Sequence, residues 1–300
     1  MFFYYCLLAP FALIPAKCAK FFGLQLGRIY FWIDKKHRLE VLSRIQFSLG
    51  LNDSENVRLS KSFYQYLGLL MMEFMRLPFQ NKESIKKIVS DENLKQITDI
   101  LKEGKGCIIA TGHFGNWEYA GLALSAYGFP VNAVAKPLKN SSFDKFLNKC
   151  RQKTGTKIIN QKNAYRESLR ALKANEIVVM LLDYDTAPEK GGVFIPFFGK
   201  MTATIPSAAM LHLKTNAPII VTRLKRNEDL IHSHVEIDQV IQGSEKSEKN
   251  EKIIDISTRI NESYERFIKS NPPEWLWLQR RWRFSNSGKL QYENNSPQLD

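Results

Sequence analysis

From Gly106 onward, short apolar runs alternate with stretches in which apolar residues recur every three or four positions. The runs Cys107–Thr111, Val131–Ala135, Thr156–Ile159, Ile177–Leu182, Val193–Pro196, Pro218–Leu224 and Ile231–Ile237 predict strands. The helical period fills Trp117–Tyr127, Phe143–Lys153, Ala164–Ala174 and Ile205–Thr215. Strands alternating with helices predict an α/β fold, a layered mixed sheet flanked by helices. Upstream the period is helical throughout. One long helix opens at Asp53, with Ser54 as its N-cap, and runs to Arg76; Ser84–Lys102 reads as a single amphipathic helix. The charged stretch Gly243–Lys252 predicts a solvated loop before a helix over Ile253–Lys269, and Gln291–Asp300 has the composition of a tail. Four segments follow: an N-terminal helical segment 1–38, a helical region 39–105, an α/β domain 106–284 and a tail 285–300.

Met1 to Ala16 carries no charged residue, and a second apolar run, Phe21–Ile33, carries only Arg28. Neither reaches the roughly 18–20 clean residues of a membrane span. No basic segment precedes the first run, which argues against a secretory signal. Aromatics flanked by Lys17, Lys20 and Asp34-Lys-Lys-His-Arg38 suit helices lying in a membrane interface, with the basic residues among anionic headgroups.

Charge narrows the partners. With 43 Lys+Arg against 30 Asp+Glu the chain carries +13, and 44% of it is hydrophobic, enough for a substantial core. An acidic partner is expected. The basic residues are scattered, with no long Lys/Arg block and no nucleic-acid module, so an anionic membrane surface or an acidic protein is expected and nucleic acid is not. Cys6, Cys18, Cys107 and Cys150 have no metal-ligand spacing and read as free thiols in a reducing compartment.

The chemistry concentrates at His113-Phe-Gly-Asn-Trp-Glu118, directly after a predicted strand. Strand ends are where α/β proteins place reactive groups. A neutral imidazole takes a proton near pH 7, and a neighbouring carboxylate can fix its tautomer. Residues five apart do not face each other on a helix, so His113 is expected on the turn and Glu118 in the first helical turn.

The hexapeptide resembles the signature block of the bacterial lipid A biosynthesis acyltransferases, within the wider lysophospholipid acyltransferase superfamily. Further blocks are similar in the same order: Lys136-Pro-Leu-Lys-Asn140, Arg151 before Gly155, Asp183-Tyr-Asp185, Gly192-Val-Phe-Ile-Pro-Phe-Phe-Gly199 with Thr204, and Trp277-Leu-Gln-Arg-Arg281. The similarity runs from about Leu13 to Phe284. It implies acyl transfer from a thioester to a hydroxyl, with His113 as general base and Glu118 orienting it, and no acyl-enzyme. Arg151 is expected to serve the oxyanion, to fix Glu118 or to hold a substrate phosphate. Gly115 and Asn116 could offer backbone N–H groups to the oxyanion. Lys136, Lys139 and Asn140 suit a phosphorylated headgroup or a phosphopantetheine arm. Asp183 and Asp185 are expected in structural or substrate-orienting roles, Phe197 and Phe198 in an acyl or acceptor groove. Arg280 and Arg281, with Arg283 and Trp275, Trp277 and Trp282, are expected to bind lipid phosphates or to anchor the chain. No metal or cofactor is expected, since the acyl thioester is a co-substrate. The implied donor is acyl carrier protein or acyl-coenzyme A, the acceptor a lipid A precursor or another glycolipid, and the location the cytoplasmic face of the bacterial inner membrane. Gln279 departs from the family block, which has His there. The competing readings are the same chemistry on another glycolipid or a lysophospholipid, and a non-catalytic basic protein bound to membrane or nucleic acid.

Overall fold

A computed structural model describes residues 2–283; the expected tail 285–300 lies outside the described residues. Six helices come first: α1 (Phe2–Leu13), α2 (Ala16–Ile33), α3 (Lys35–Leu49), α4 (Asp53–Arg76), α5 (Lys82–Ile88) and α6 (Leu94–Leu101), with the short strand β1 (Val89–Ser90) between the last two. The α/β part follows as β2 (Cys107–Thr111), α7 (Trp117–Ala126), β3 (Val131–Ala135), α8 (Ser141–Gln152), β4 (Lys157–Asn160), α9 (Ala164–Lys173) and β5 (Ile177–Leu181). Then come β6 (Val193–Phe197), β7 (Lys200–Thr204), α10 (Ser207–Thr215), β8 (Ile219–Arg226), β9 (Ser233–Ile241) and α11 (Lys249–Ser270).

Seven strands form one sheet in the order β1-β9-β8-β2-β5-β3-β4, parallel except for the antiparallel β8–β9 pair. The expected mixed sheet flanked by helices is therefore present. Its central strand β2 is buried at every position, which is why Cys107–Thr111 reads as an unbroken apolar run. Alternate residues feed opposite cores. Ile109, Val179 and Ile220 meet α7 and α8 on one face; Ile108, Val178 and Val221 meet α9, α10 and α11 on the other.

Three local expectations are corrected. The single helix over Ser84–Lys102 is two helices, because Val89 and Ser90 pair with Ser233 and His234 and cap the sheet edge. The N-cap of α4 is Asn52 rather than Ser54: its side chain accepts from Glu55 N, the Glu55 carboxylate accepts from Asn52 N, and Ser54 Oγ merely donates to Asn52 Oδ1. Val193–Pro196 lies outside the main sheet, in a two-stranded hairpin with Lys200–Thr204.

Among the described residues no single helix is long and apolar enough to cross a membrane; α1 and α2 together reach that composition but are bent by 107° at their junction. Pro15 sits at that junction and disfavours helical geometry in Ile14. Helix α2 lies very close to α4. A Cβ on Gly27 would fall 2.1 Å from Tyr64 O, and one on Gly68 2.1 Å from Gly23 O, so only glycine permits this approach. The outward faces of α1 and α2 leave Leu13, Phe22, Ile29 and Ile33 exposed.

Candidate active site

His113 sits on the turn between β2 and α7, and the sheet order decides its partner. Strand β5 is the direct neighbour of β2, with Thr111 level with Leu181. The residues two beyond each strand end, His113 and Asp183, therefore emerge side by side. One Asp183 oxygen lies 2.7 Å from His113 Nδ1; the other accepts from His113 N at 2.8 Å and from Trp275 Nε1 at 2.8 Å. The turn is pinned from the far side as well: Gly115 N donates to Glu274 O and Leu276 N to His113 O.

This corrects the expected dyad. The carboxylate on the imidazole is Asp183, whereas Glu118 is held by Arg151 through two bonds, Nε to Oε2 at 2.8 Å and Nη2 to Oε1 at 2.6 Å. Glu118 lies in the first turn of α7 and Arg151 in the last turn of α8, so that pair ties the two helices together beside the turn. Of the roles expected for Arg151, fixing Glu118 is the one the geometry contains.

Electrostatics follow from burial. Desolvation works to lower the His113 pKa, but the charge and hydrogen bond of Asp183, with Glu118 further off, outweigh it and hold the imidazole above its ordinary value near 6.5. Burial pushes Asp183 the other way; His113 and the Trp275 N–H overcome it and keep the carboxyl below its ordinary range. With Nδ1–H given to Asp183, Nε2 is the ring nitrogen that can take a proton. The side-chain amide of Gln279 lies 3.1 Å from the same Nδ1. The residue that departs from the family block therefore lies against the His113 ring itself.

Two cavities adjoin the turn. One, about 260 Å³ with its solvent-open mouth included, is lined by His113, Gly115, Arg226 and Glu274. The other is an apolar slot of about 690 Å³, its solvent-open mouth included, between α7 and the β2, β3 and β5 side chains Ile109, Ala133, Val179 and Leu181. Glu118 and Arg151 form part of its wall, and Trp117 lines both cavities with its ring edge-on to His113, centroids 4.7 Å apart.

The remaining expected site residues divide. Lys136 and Lys139 are exposed on the loop after β3, at the same sheet edge as His113. Asn140 instead caps α8, accepting from Ser142 N and Phe143 N. The Gly115 N–H is committed to Glu274, so it does not serve an oxyanion. The Asn116 side chain caps α7 through Tyr119 N and donates to Glu73, which is paired with Arg226. Asp185 pairs with Arg283. Phe197 is fully buried against Trp275 and Trp282, so it is core rather than groove, while Phe198 is partly buried.

The C-terminal basic-aromatic cluster is corrected most. Trp275, Trp277, Trp282 and Arg281 are all fully buried. Arg281 lies over the Phe197 ring and donates to Thr202 and Thr204; desolvation pulls its pKa down to about 10. It stitches the C-terminal segment to the hairpin and cannot reach a lipid phosphate. Arg280 alone of that pair is exposed.

Sequence reasoning missed the His113–Asp183 bond, the Gln279 contact and the double role of Trp117. The first left a signal: two chemistry-bearing motifs, each placed directly after a buried strand, fit neighbouring strands of one sheet.

Comparison with known proteins gives a consistent result. The family model of the bacterial lipid A biosynthesis acyltransferases matches residues 1–284. A lipid A biosynthesis acyltransferase of Haemophilus influenzae is 22% identical over 271 residues, 89% of this chain and 83% of the relative. A lipid A biosynthesis palmitoleoyltransferase of Escherichia coli is 23% identical over 221 residues, 73% of this chain and 70% of the relative. A phosphatidylinositol mannoside acyltransferase of Mycolicibacterium smegmatis is 24% identical over 151 residues, 49% of each chain.

Proposed function

Because this chain belongs to the bacterial lipid A biosynthesis acyltransferases, we propose that it moves a fatty acyl chain from a thioester to a hydroxyl of a lipid A precursor, with His113 as general base. The observation that carries the reading is the Asp183-held imidazole next to an apolar slot, with Trp117 lining both spaces. The acceptor hydroxyl gives its proton to Nε2 as its oxygen attacks the thioester carbon. Asp183 stabilises the imidazolium that forms, and the proton then leaves with the thiolate. The tetrahedral oxyanion suits the outward N–H groups of Trp117 and Glu118 in the first turn of α7. Glu118 acts through Arg151, holding the wall of the slot.

The donor we favour is acyl carrier protein, an acidic partner for a +13 surface. Lys136 and Lys139 are exposed at the site's edge, where they suit its phosphopantetheine arm or the phosphates of the acceptor. The exposed apolar residues of α1 and α2 support a seat in the cytoplasmic face of the inner membrane. A second acceptor class, other glycolipids, is favoured by the similarity to a phosphatidylinositol mannoside acyltransferase.

The test is mass spectrometry of products from detergent-purified protein given a tetra-acylated lipid A precursor and a panel of acyl carrier protein and acyl-coenzyme A thioesters. Gain of one acyl chain, abolished in His113→Ala, supports the reading. Folded protein that acylates no precursor with any donor overturns it.

A further inference from the structure

We propose that Gly121 sets the length of acyl chain this protein accepts. The proposal rests on the functional reading above and adds the residue that decides its donor specificity.

Helix α7 presents one face to the apolar slot. Trp117 stands at the end nearest His113, and Gly121 lies one turn further along the same face. On the sheet side the wall includes the short side chains Ala133 and Ala135 of β3 beside Ile109, Val179 and Leu181. Around Gly121 the slot is open: no neighbouring heavy atom comes within 4 Å of the point a Cβ would occupy. A glycine in mid-helix costs stability relative to alanine, yet here neither a positive φ nor a close backbone approach requires it. The missing side chain leaves space where a chain passing Trp117 would continue. Any side chain at 121 projects into that space, and each added carbon displaces part of the alkyl tail. Discrimination of about ten-fold or more per methylene is within reach of such a wall.

The experiment is a graded series, Gly121→Ala, Gly121→Val and Gly121→Leu. Each protein competes a mixture of saturated acyl carrier protein thioesters of increasing length for one acceptor, and products are counted by mass. Alanine and leucine are good helix formers, so α7 is retained, with circular dichroism and melting as the check. The expected result is a stepwise move of the preferred chain to shorter lengths, with the long-to-short product ratio falling about ten-fold or more by Gly121→Leu. An unchanged ratio in active variants overturns the proposal. The same proteins are also melted with free saturated fatty acids of the same lengths. The length giving the largest rise in Tm should shorten along the series, and an identical profile in all four proteins overturns the assignment even if no transfer is detected. Loss of transfer in the parent chain with a length shift preserved in melting would remove the functional reading and leave the slot assignment standing.

Discussion

His113 and Asp183 are 70 residues apart in the chain, and their side chains meet at 2.7 Å. Asp183 is fully buried, and its second oxygen is held by His113 N and Trp275 Nε1, so the carboxylate cannot swing away from the ring.

That geometry gives a pH signature. In the proposed mechanism the base must be neutral, and His113 is held above its ordinary value near 6.5. Activity should therefore fall as pH drops through a midpoint above 6.5. In Asp183→Asn the charge that raises the pKa is gone and burial dominates, so the acidic limb moves to lower pH. The plateau rate should also fall, by about 10³–10⁴, because the amide no longer fixes the tautomer. A pH profile of kcat/KM for both proteins measures this, and an unmoved limb would contradict it.

Glu118→Gln should behave differently. Its charge contributes least to the His113 pKa, so the acidic limb should move less than in Asp183→Asn. Its main effect is to leave the Arg151 guanidinium without a carboxylate, at a cost of about 3 kcal/mol, read as a lower midpoint in urea. Glu118→Gln combined with Arg151→Met should cost less than the sum of the two single changes.

Gly27→Ala tests the packing of α2 on α4. The added Cβ would sit 2.1 Å from Tyr64 O, so the helices must separate, at about 1–3 kcal/mol. Gly50→Ala, where the Cβ meets nothing but φ is +62°, should cost only the strain of that conformation, about 1 kcal/mol. Thermal melting ranks the two.

Phe22 and Ile29 are exposed, seven residues apart on one face of α2. Phe22→Asp with Ile29→Asp should leave the melting temperature nearly unchanged and weaken binding to anionic vesicles. Losing about 2 kcal/mol of apolar burial per side chain predicts a drop of about 10²–10³-fold in flotation assays. Equal flotation of parent and variant would remove α2 from the membrane contact.

Arg281→Met should lower stability without changing vesicle binding by the folded fraction. The side chain is buried among Thr202, Thr204 and Phe197, with no path to a headgroup. A loss of lipid binding with stability intact would contradict the structure.

Much of this was legible along the chain. The apolar run Cys107–Thr111 marked the central strand, because a strand covered on both faces has no polar alternation. Its end located His113, the period after it located α7, and the motif order carried the family. What the sequence by itself determined was local: element type, element order and the placement of chemistry at strand ends. Tertiary structure decided adjacency. Only the strand order puts β5 beside β2 and so makes Asp183, rather than Glu118, the partner of His113. Only the packing of α8 on α7 gives Glu118 to Arg151. The aromatic-basic C-terminus has the composition of a membrane anchor, yet its tryptophans and Arg281 fill the core. Periodicity reports which faces are apolar. It does not report which distant segment covers them, because that depends on contacts between residues far apart in the chain.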